Sequence, residues 1–298
     1  KVRYATVKRL INDENASKEL GIHAKELLEE ITKEVIQMQD RSLQIIDNIT
    51  KKLEKEQIFI VNEQTLLPAH EEFVNNYFYD KVRPALFTII LNDLDKFPQL
   101  KDDIAYLAVK MTLKEDNKTS GVQKFFSSRA YKEKIQYALI ELPTTLDRFV
   151  ELPTLEGKHY IIMIDDIIRF CLHKIFNIFN YESLSANMIK ITRDAELDID
   201  DDLSKSFIEK ISTGVEDRRK GTPVRFVYDK MIADDTLQFL FDKMGIVSSD
   251  SIIPGGRYHN RRDYMNFPSM GRTDLTYAPI HPLPVKGLTQ EGSLLKKI

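Results

Sequence analysis

The residues best suited to chemistry are basic and fall in two groups. Arg218, Arg219, Lys220 and Arg225 bracket one turn. Arg257, Arg261, Arg262 and Arg272 cluster near the end of the chain, interleaved with Tyr258 and Tyr264. Arg193 closes a β-favouring run just upstream of the first group and joins these candidates. A guanidinium presents a planar fork of donors that matches phosphate oxygens two at a time. Such a set suits the path of a polyanion. The plainer reading is that the first group completes a helix C-terminus, where cations are favoured, and that both groups form ion pairs with the many acids.

Other chemistries find less support. The chain has six histidines, His23, His70, His159, His173, His259 and His281, and no two have the spacing of a helical zinc site. His23 and His70 are expected on solvated helix faces, and His173 is expected as a packed or surface residue. Asp198, Asp200, Asp202 and Glu209 fall at EF-hand positions, but Leu203 stands where the loop's sharp turn needs glycine. We expect that run to cap a helix rather than hold calcium. No nucleophile-elbow stretch and no glycine-rich phosphate loop is present. Gly255-Gly256-Arg257 reads as a turn. Cys171, the one cysteine, sits among apolar residues and is expected to be a buried structural thiol in a reducing compartment.

These groups must be positioned by elements that the pattern outlines. From Leu20 to Leu53 apolar residues mark one face of a long helix, spaced so closely to a heptad that a partner helix is expected along its length. QIFIVNEQTLL reads as a strand and turn, followed by a helix over Glu71–Val82 that Arg83-Pro84 should end. ALFTIIL, IAYLAVKM, KIQYALIELP and HYIIMI read as strands, with LDRFVELP a short extended piece and Glu156-Gly157 a turn. Glu115 to Ser128 reads as a hairpin or longer loop. Asp165 or Asp166 should start the helix IIRFCLHKIF. Met188, Ile189 and Ile191 read as a strand. Leu203, Phe207, Ile211 and Val215 recur every four residues as a helix stopped at Gly221, and Val224, Phe226 and Tyr228 alternate as another strand. Ala233–Met244 is a further helix, with Leu237, Leu240 and Phe241 inward. From Ile253 the chain has little periodicity and reads as an ordered wrap or linker.

At 298 residues, 42% hydrophobic and 30% charged, the chain fits a soluble α+β protein. Long N-terminal helix residues should precede a mixed β-sheet head domain with two or three packed helices. The expected division is 1–55 helical, 56–252 head domain and 253–298 extended linker. A net charge of -3 argues against a general nucleic-acid coat, and no apolar run is long enough to span a bilayer. The first residue, Lys1, suggests a piece of something longer.

ITRDAELDID, followed by a helix ending in a basic cluster and then VRFVYD, resembles the head domain of the phosphohistidine-type polyphosphate kinases. The likeness extends over nearly the whole chain. KVRYATVKRL is similar to the family segment after its asparagine-leucine-aspartate motif, with Val2 and Arg3 matching a valine-arginine pair. GIHAKELLEE to QIFIVNEQTLL resembles the helical linker and first head strand. YFYDKVRPALFTIIL resembles the entry motif with valine and proline. ELPTTLDRFVELP resembles the proline-bounded segment, and GGRYHNRRDYMNFPSMGRTDLTYAPIHPLP resembles the exit toward catalytic domains.

The resemblance implies an enzyme that reversibly moves the terminal phosphate of ATP to inorganic polyphosphate, through a phosphorylated histidine and with magnesium. It implies a cytoplasmic homo-oligomer, dimer or tetramer, with room for peripheral membrane association. The family's catalytic histidine lies in a leucine-leucine-histidine-histidine-proline-tyrosine stretch that this sequence lacks. The resemblance therefore assigns no catalytic residue here and leads us to expect an inactive scaffold that binds neither ATP nor magnesium alone. Its tasks would be dimerisation and shaping of the polyphosphate path. The other readings of the chain are a stand-alone polyanion-binding adaptor and a structural dimer built on the Leu20–Leu53 helix. Nucleic acid is not an expected partner.

Overall fold

The computed structural model describes residues 6–7, 10–11, 23–92, 94, 96–102, 104–114, 134–193, 223–246, 251–281 and 283. The fold is α+β. Helix α1 (Ala24–Lys55) leads into β1 (Ile58–Val61), α2 (Pro68–Tyr77) and β2 (Phe87–Ile90). Strands β3 (Ala105–Leu113), β4 (Ile135–Glu141), β5 (Phe149–Leu155) and β6 (Lys158–Met163) follow. Then come α3 (Ile164–Phe170), α4 (Leu172–Ile175), β7 (Tyr181–Arg193), β8 (Pro223–Asp229), α5 (Asp234–Met244) and β9 (Ser251–Gly255).

Six strands form one sheet in the order β2-β4-β3-β7-β8-β9, antiparallel except for the β8–β9 pair. Three strands form a second sheet, β1-β6-β5. The larger sheet is covered on both faces. Leu107, Ile140 and Met188 stand in register on one face and pack with α2, α3 and the smaller sheet. Tyr106, Leu139, Ile189 and Phe226 belong to the opposite face, under Leu240 of α5. This explains why β3 reads as a continuous apolar run rather than an alternation: both of its faces exclude water. Stacking of Tyr137 on Phe239 at 4.1 Å and the edge contact of Phe226 with Phe241 at 5.4 Å seat α5 on the sheet. Lys110 of β3 pairs with Asp235 in the first turn of α5, which holds that carboxyl below its usual range, chiefly through the hydrogen bond.

Several expectations need correction. The Glu71–Val82 helix is instead α2, a wider turn over Phe78–Val82 and a helical turn over Arg83–Ala85. Pro84 does not end the helix at Arg83, whose backbone stays helical and whose N–H reaches back to the Phe78 carbonyl. The π-type turn widens the backbone and accommodates a residue with no N–H to donate, and Leu86 then turns extended.

IIRFCLHKIF is two short helices broken at Cys171. The first of them begins at Ile164, so Asp165 and Asp166 stand in its first turn as expected, though both are fully buried. His70 is buried, not solvated: Nε2 donates to the Pro153 carbonyl at 2.9 Å and the ring leans on Tyr160. His23 is exposed, as expected. His173 is exposed too, its Nδ1 donating to the Phe170 carbonyl. Cys171 is fully buried, and burial raises its pKa to about 11.

The segment from Ile253 is not wholly irregular, since β9 pairs in parallel with β8. The Met188–Ile191 run lies in the second half of a 13-residue strand. Glu156 and Gly157 both have positive φ, 50° and 75°, as a two-residue hairpin loop requires. The Glu115–Ser128 loop and the Leu203–Val215 helix, with its stop at Gly221, lie outside the described residues.

Helix α1 has 32 residues, so it is about 48 Å long. It packs on β1 and β9. Among the described residues its helical partner is confined to Val7 and Ile11 against Leu28, not the whole length. Leu43 meets the backbone at Gly256 so closely that a Cβ there would lie 2.5 Å from Leu43 Cδ2. Met38, Ile45 and Ile49 remain 62%, 50% and 50% exposed on the opposite side.

The chain separates into a unit of Lys1–Asn266 and one of Phe267–Ile298. In the second, Arg272 forks onto Asp274 beside a short 3-10 turn, and Tyr277 and Ile280 are fully exposed.

The burial pattern predicts a sharp contrast. Leu107→Ala, at the doubly covered strand, should lower unfolding stability by about 2–5 kcal/mol. Met38→Ala should change it by less than about 0.5 kcal/mol. Urea unfolding of both variants checks this, and similar losses would overturn the layer assignment.

Candidate functional site

The charged residues converge beneath the segment that leaves β9. Three local structures bring them there. First, Asn62 Oδ1 accepts the N–H groups of Gln64 and Thr65 at 2.9 and 3.0 Å, closing a tight turn after β1 that presents Glu63. Second, β6 runs directly into α3, so Asp165 and Asp166 fall at the positive end of a helix. Third, β9 ends at Gly255, and the close approach at Gly256 seats the chain under α1. Arg257 and Tyr258 are thereby brought over α3.

Asp166 is the centre. Its Oδ1 accepts from Arg169 Nη1 at 2.8 Å and Arg257 Nη2 at 2.7 Å, and its Oδ2 accepts from the Tyr258 hydroxyl at 2.6 Å. Arg257 also pairs with Glu63. Arg169 Nε donates to the Ala186 carbonyl at 3.0 Å, tying the cluster to β7. Alongside, Arg148 joins Asp165 at 2.5 Å to Asp263 at 3.1 Å.

Burial opposes the charge on Arg257, but Asp166 and Glu63 outweigh it and hold its pKa above the usual guanidinium value. Burial and the Asp166 charge push Tyr258 up. Burial also pushes Asp165 up, against the pull of Arg148 and Arg169. Among the described residues, Arg148 Nε, Asp165 Oδ1 and Arg169 Nη2 find no hydrogen-bond partner. Chemically this is a clamp. Its carboxylates accept from cations and a phenol, and its arginines are paired.

The candidate cations therefore separate. Arg257 is locked in the clamp. Arg261 is different: it is half-buried, its Nε has no acceptor, and no carboxylate pairs with it among the described residues. Burial pulls its pKa below the usual value, with Tyr264 nearby acting the other way. Arg262 is exposed. Arg225 stands opposite Thr192 on β7, on the sheet face that also carries Lys190, whose Nζ donates to Asn260 Oδ1 at 2.9 Å. Arg193 ends β7, where the ladder with β8 shifts register. Arg218, Arg219 and Lys220 lie outside the described residues, as do the EF-hand-like positions.

Among the described residues no group of three His, Cys, Asp or Glu is arranged to hold a metal, and no helix is long and apolar enough to cross a membrane. The sequence reading missed Arg148, Arg169 and Glu63. One signal was available: Arg169 sits in an otherwise apolar run three residues after Asp166, the spacing of a helical ion pair.

His259 lies under the same segment. A Cβ at Gly255 would lie 3.3 Å from its Nε2, and its backbone N–H faces Met188 sulfur. Burial lowers its pKa to about 3, against the pull of Asp229.

Two outcomes follow. Asp166→Ala leaves Arg169 and Arg257 without their counter-charge and should cost about 3–5 kcal/mol in urea unfolding; a loss below 1 kcal/mol would show that the clamp is not holding the segment. His259 is neutral when folded and binds a proton more readily when unfolded. Its contribution is thus complete above the unfolded value near 6.5 and is lost as pH falls toward 3. His259→Leu should flatten the acid loss of stability between pH 6.5 and 3 by up to about 1.4 kcal/mol per pH unit, measured as the difference from the unsubstituted chain.

Comparison with known proteins gives the family. A family model described as the polyphosphate kinase middle domain matches residues 69–267. The chain is 37% identical over 290 residues to the polyphosphate kinase of Vibrio parahaemolyticus, covering 95% of this chain and 39% of that protein. It is 33% identical over 287 residues to that of Escherichia coli, covering 94% of this chain and 39% of that protein. The crystal structure of polyphosphate kinase from Porphyromonas gingivalis superposes with a TM-score of 0.66 at 25% identity, over 99% of this chain and 40% of that one. The chain thus spans about 39% of the length of the curated relatives it matches, and by its sequence, its fold and its matched segment it belongs to the polyphosphate kinase family through that family's middle domain.

Proposed function

We propose that this chain is the head-domain scaffold of an enzyme that transfers the terminal phosphate of ATP to inorganic polyphosphate through a phosphohistidine. The chemistry lies outside the chain described here, and this part shapes the path of the polymer and joins copies of the protein. One observation carries the path reading: Arg261 keeps a half-buried guanidinium unmatched by any described carboxylate, with exposed Arg262 beside it. In a protein of net charge -3, unmatched arginines kept near the surface suit a phosphate chain. The joining role is supported by the exposed Met38, Ile45 and Ile49 on α1.

The two central acids of the clamp are engaged by protein donors rather than open to a magnesium ion. The oxygens of Asp166 are taken by Arg169, Arg257 and Tyr258, and Asp165 is tied to Arg148.

The test uses the purified chain. Mixed with ATP, magnesium and polyphosphate it should transfer no phosphate. It should bind polyphosphate with an affinity that falls as salt rises, and Arg261→Gln with Arg262→Gln should reduce the log–log salt slope by roughly 0.7 for each lost contact. Phosphate transfer by the chain, or a slope unmoved by both substitutions, would overturn the assignment.

A further inference from the structure

The clamp is not the one place where cations gather. Tyr79, 45% exposed, lies on the π-type turn after α2. Arg83, four residues on, places its Cζ 5.5 Å from the Tyr79 ring centroid. Lys174, from α4, places its Nζ 4.8 Å from the same centroid. Lys174 also donates to Asn75 Oδ1, which fixes the ammonium beside the ring. Neither cation pairs with a carboxylate among the described residues, and Asp80 on the same turn pairs with neither.

The physical point is what a ring can and cannot do for a charge. A tyrosine face attracts a cation through its quadrupole but does not neutralise it. Arg83 and Lys174 are thus held in place with their charge intact. Both are positive charges close to one ring, and an oxyanion beside the ring is attracted by each. The arrangement differs from the clamp, where every arginine meets a carboxylate.

We infer that Tyr79, Arg83 and Lys174 form a docking point for inorganic polyphosphate on the head domain, remote in sequence from Arg261 and Arg262. This rests on the reading of the chain as a polyphosphate-path scaffold. The π electrons of Tyr79 are already engaged by two cations, so the point offers charge rather than a platform on which a base stacks. That favours a chain of phosphates over RNA.

The experiment is equilibrium binding of fluorescently labelled polyphosphate to the 298-residue chain at several salt concentrations. A single-stranded RNA oligonucleotide serves as the second probe. Arg83→Gln with Lys174→Gln should reduce the polyphosphate salt slope by roughly 0.7 for each lost contact. Tyr79→Leu keeps both charges but frees them, and should weaken binding by about two- to fivefold. Unfolding curves show that each variant remains folded. An unchanged slope in the folded double variant overturns the inference and leaves the role of Arg261 standing. Loss of RNA binding without loss of polyphosphate binding overturns the ligand assigned. Failure of the unsubstituted chain to bind polyphosphate at low salt overturns both the path reading and this site.

Discussion

A carboxylate with no access to water cannot keep its charge unless cations and hydrogen bonds replace the solvent. Asp166 is such a group, and much of the structure around it follows from satisfying it. Its partners come from α3 itself, through Arg169, and from the segment beyond β9, through Arg257 and Tyr258. Glu63 is brought in by the turn after β1 and accepts from the same Arg257 Nη2 that reaches Asp166. The end of a small-sheet strand, a helix and the exit of the large sheet are therefore tied through Asp166 and Arg257. None of these elements is adjacent in sequence.

The clamp adds less net stability than its geometry suggests. Taking several charges out of water costs nearly as much as their attraction returns, whereas losing one partner leaves the others stranded. Its physical role is then one of place. It fixes where the chain goes after β9, with Gly256 pressed under Leu43 of α1 on one side and Tyr264 against Phe149 on the other. The residues that follow, Arg261 and Arg262, are held at a defined position without being neutralised themselves.

Elements with a local cause were legible in the sequence. β3, β4, β6, β8 and α5 follow from β-branched runs, alternation or helical spacing, and Gly157 marks its hairpin because both turn residues need positive φ. What failed were inferences in which a local rule met a tertiary constraint. Pro84 reads as a stop, yet the backbone widens into a π-type turn and continues. His70 reads as a polar group on a helix face, yet the Pro153 carbonyl needs a donor and the ring fits against Tyr160. Asp165 or Asp166 reads as a helix start because acids commonly begin helices, and nothing local announces that Arg257, 91 residues away, completes Asp166.

The same distinction governs the basic residues. Sequence counts Arg257, Arg261 and Arg262 as one cluster of forks, equal in chemistry. The structure makes them unequal through what each one meets. Arg257 faces two carboxylates, so its donors are committed and its charge cancelled. Arg261 lies a short way along the same segment and meets Tyr264 instead, so its charge is uncompensated. Arg83 and Lys174 meet an aromatic ring, which orients them and leaves their charge whole. A cation available to an anionic ligand is therefore recognised by a missing carboxylate, a property of the packed chain that spacing cannot supply. Proximity in sequence groups residues by composition, whereas the counter-charge decides which of them support the fold and which are left to meet a ligand.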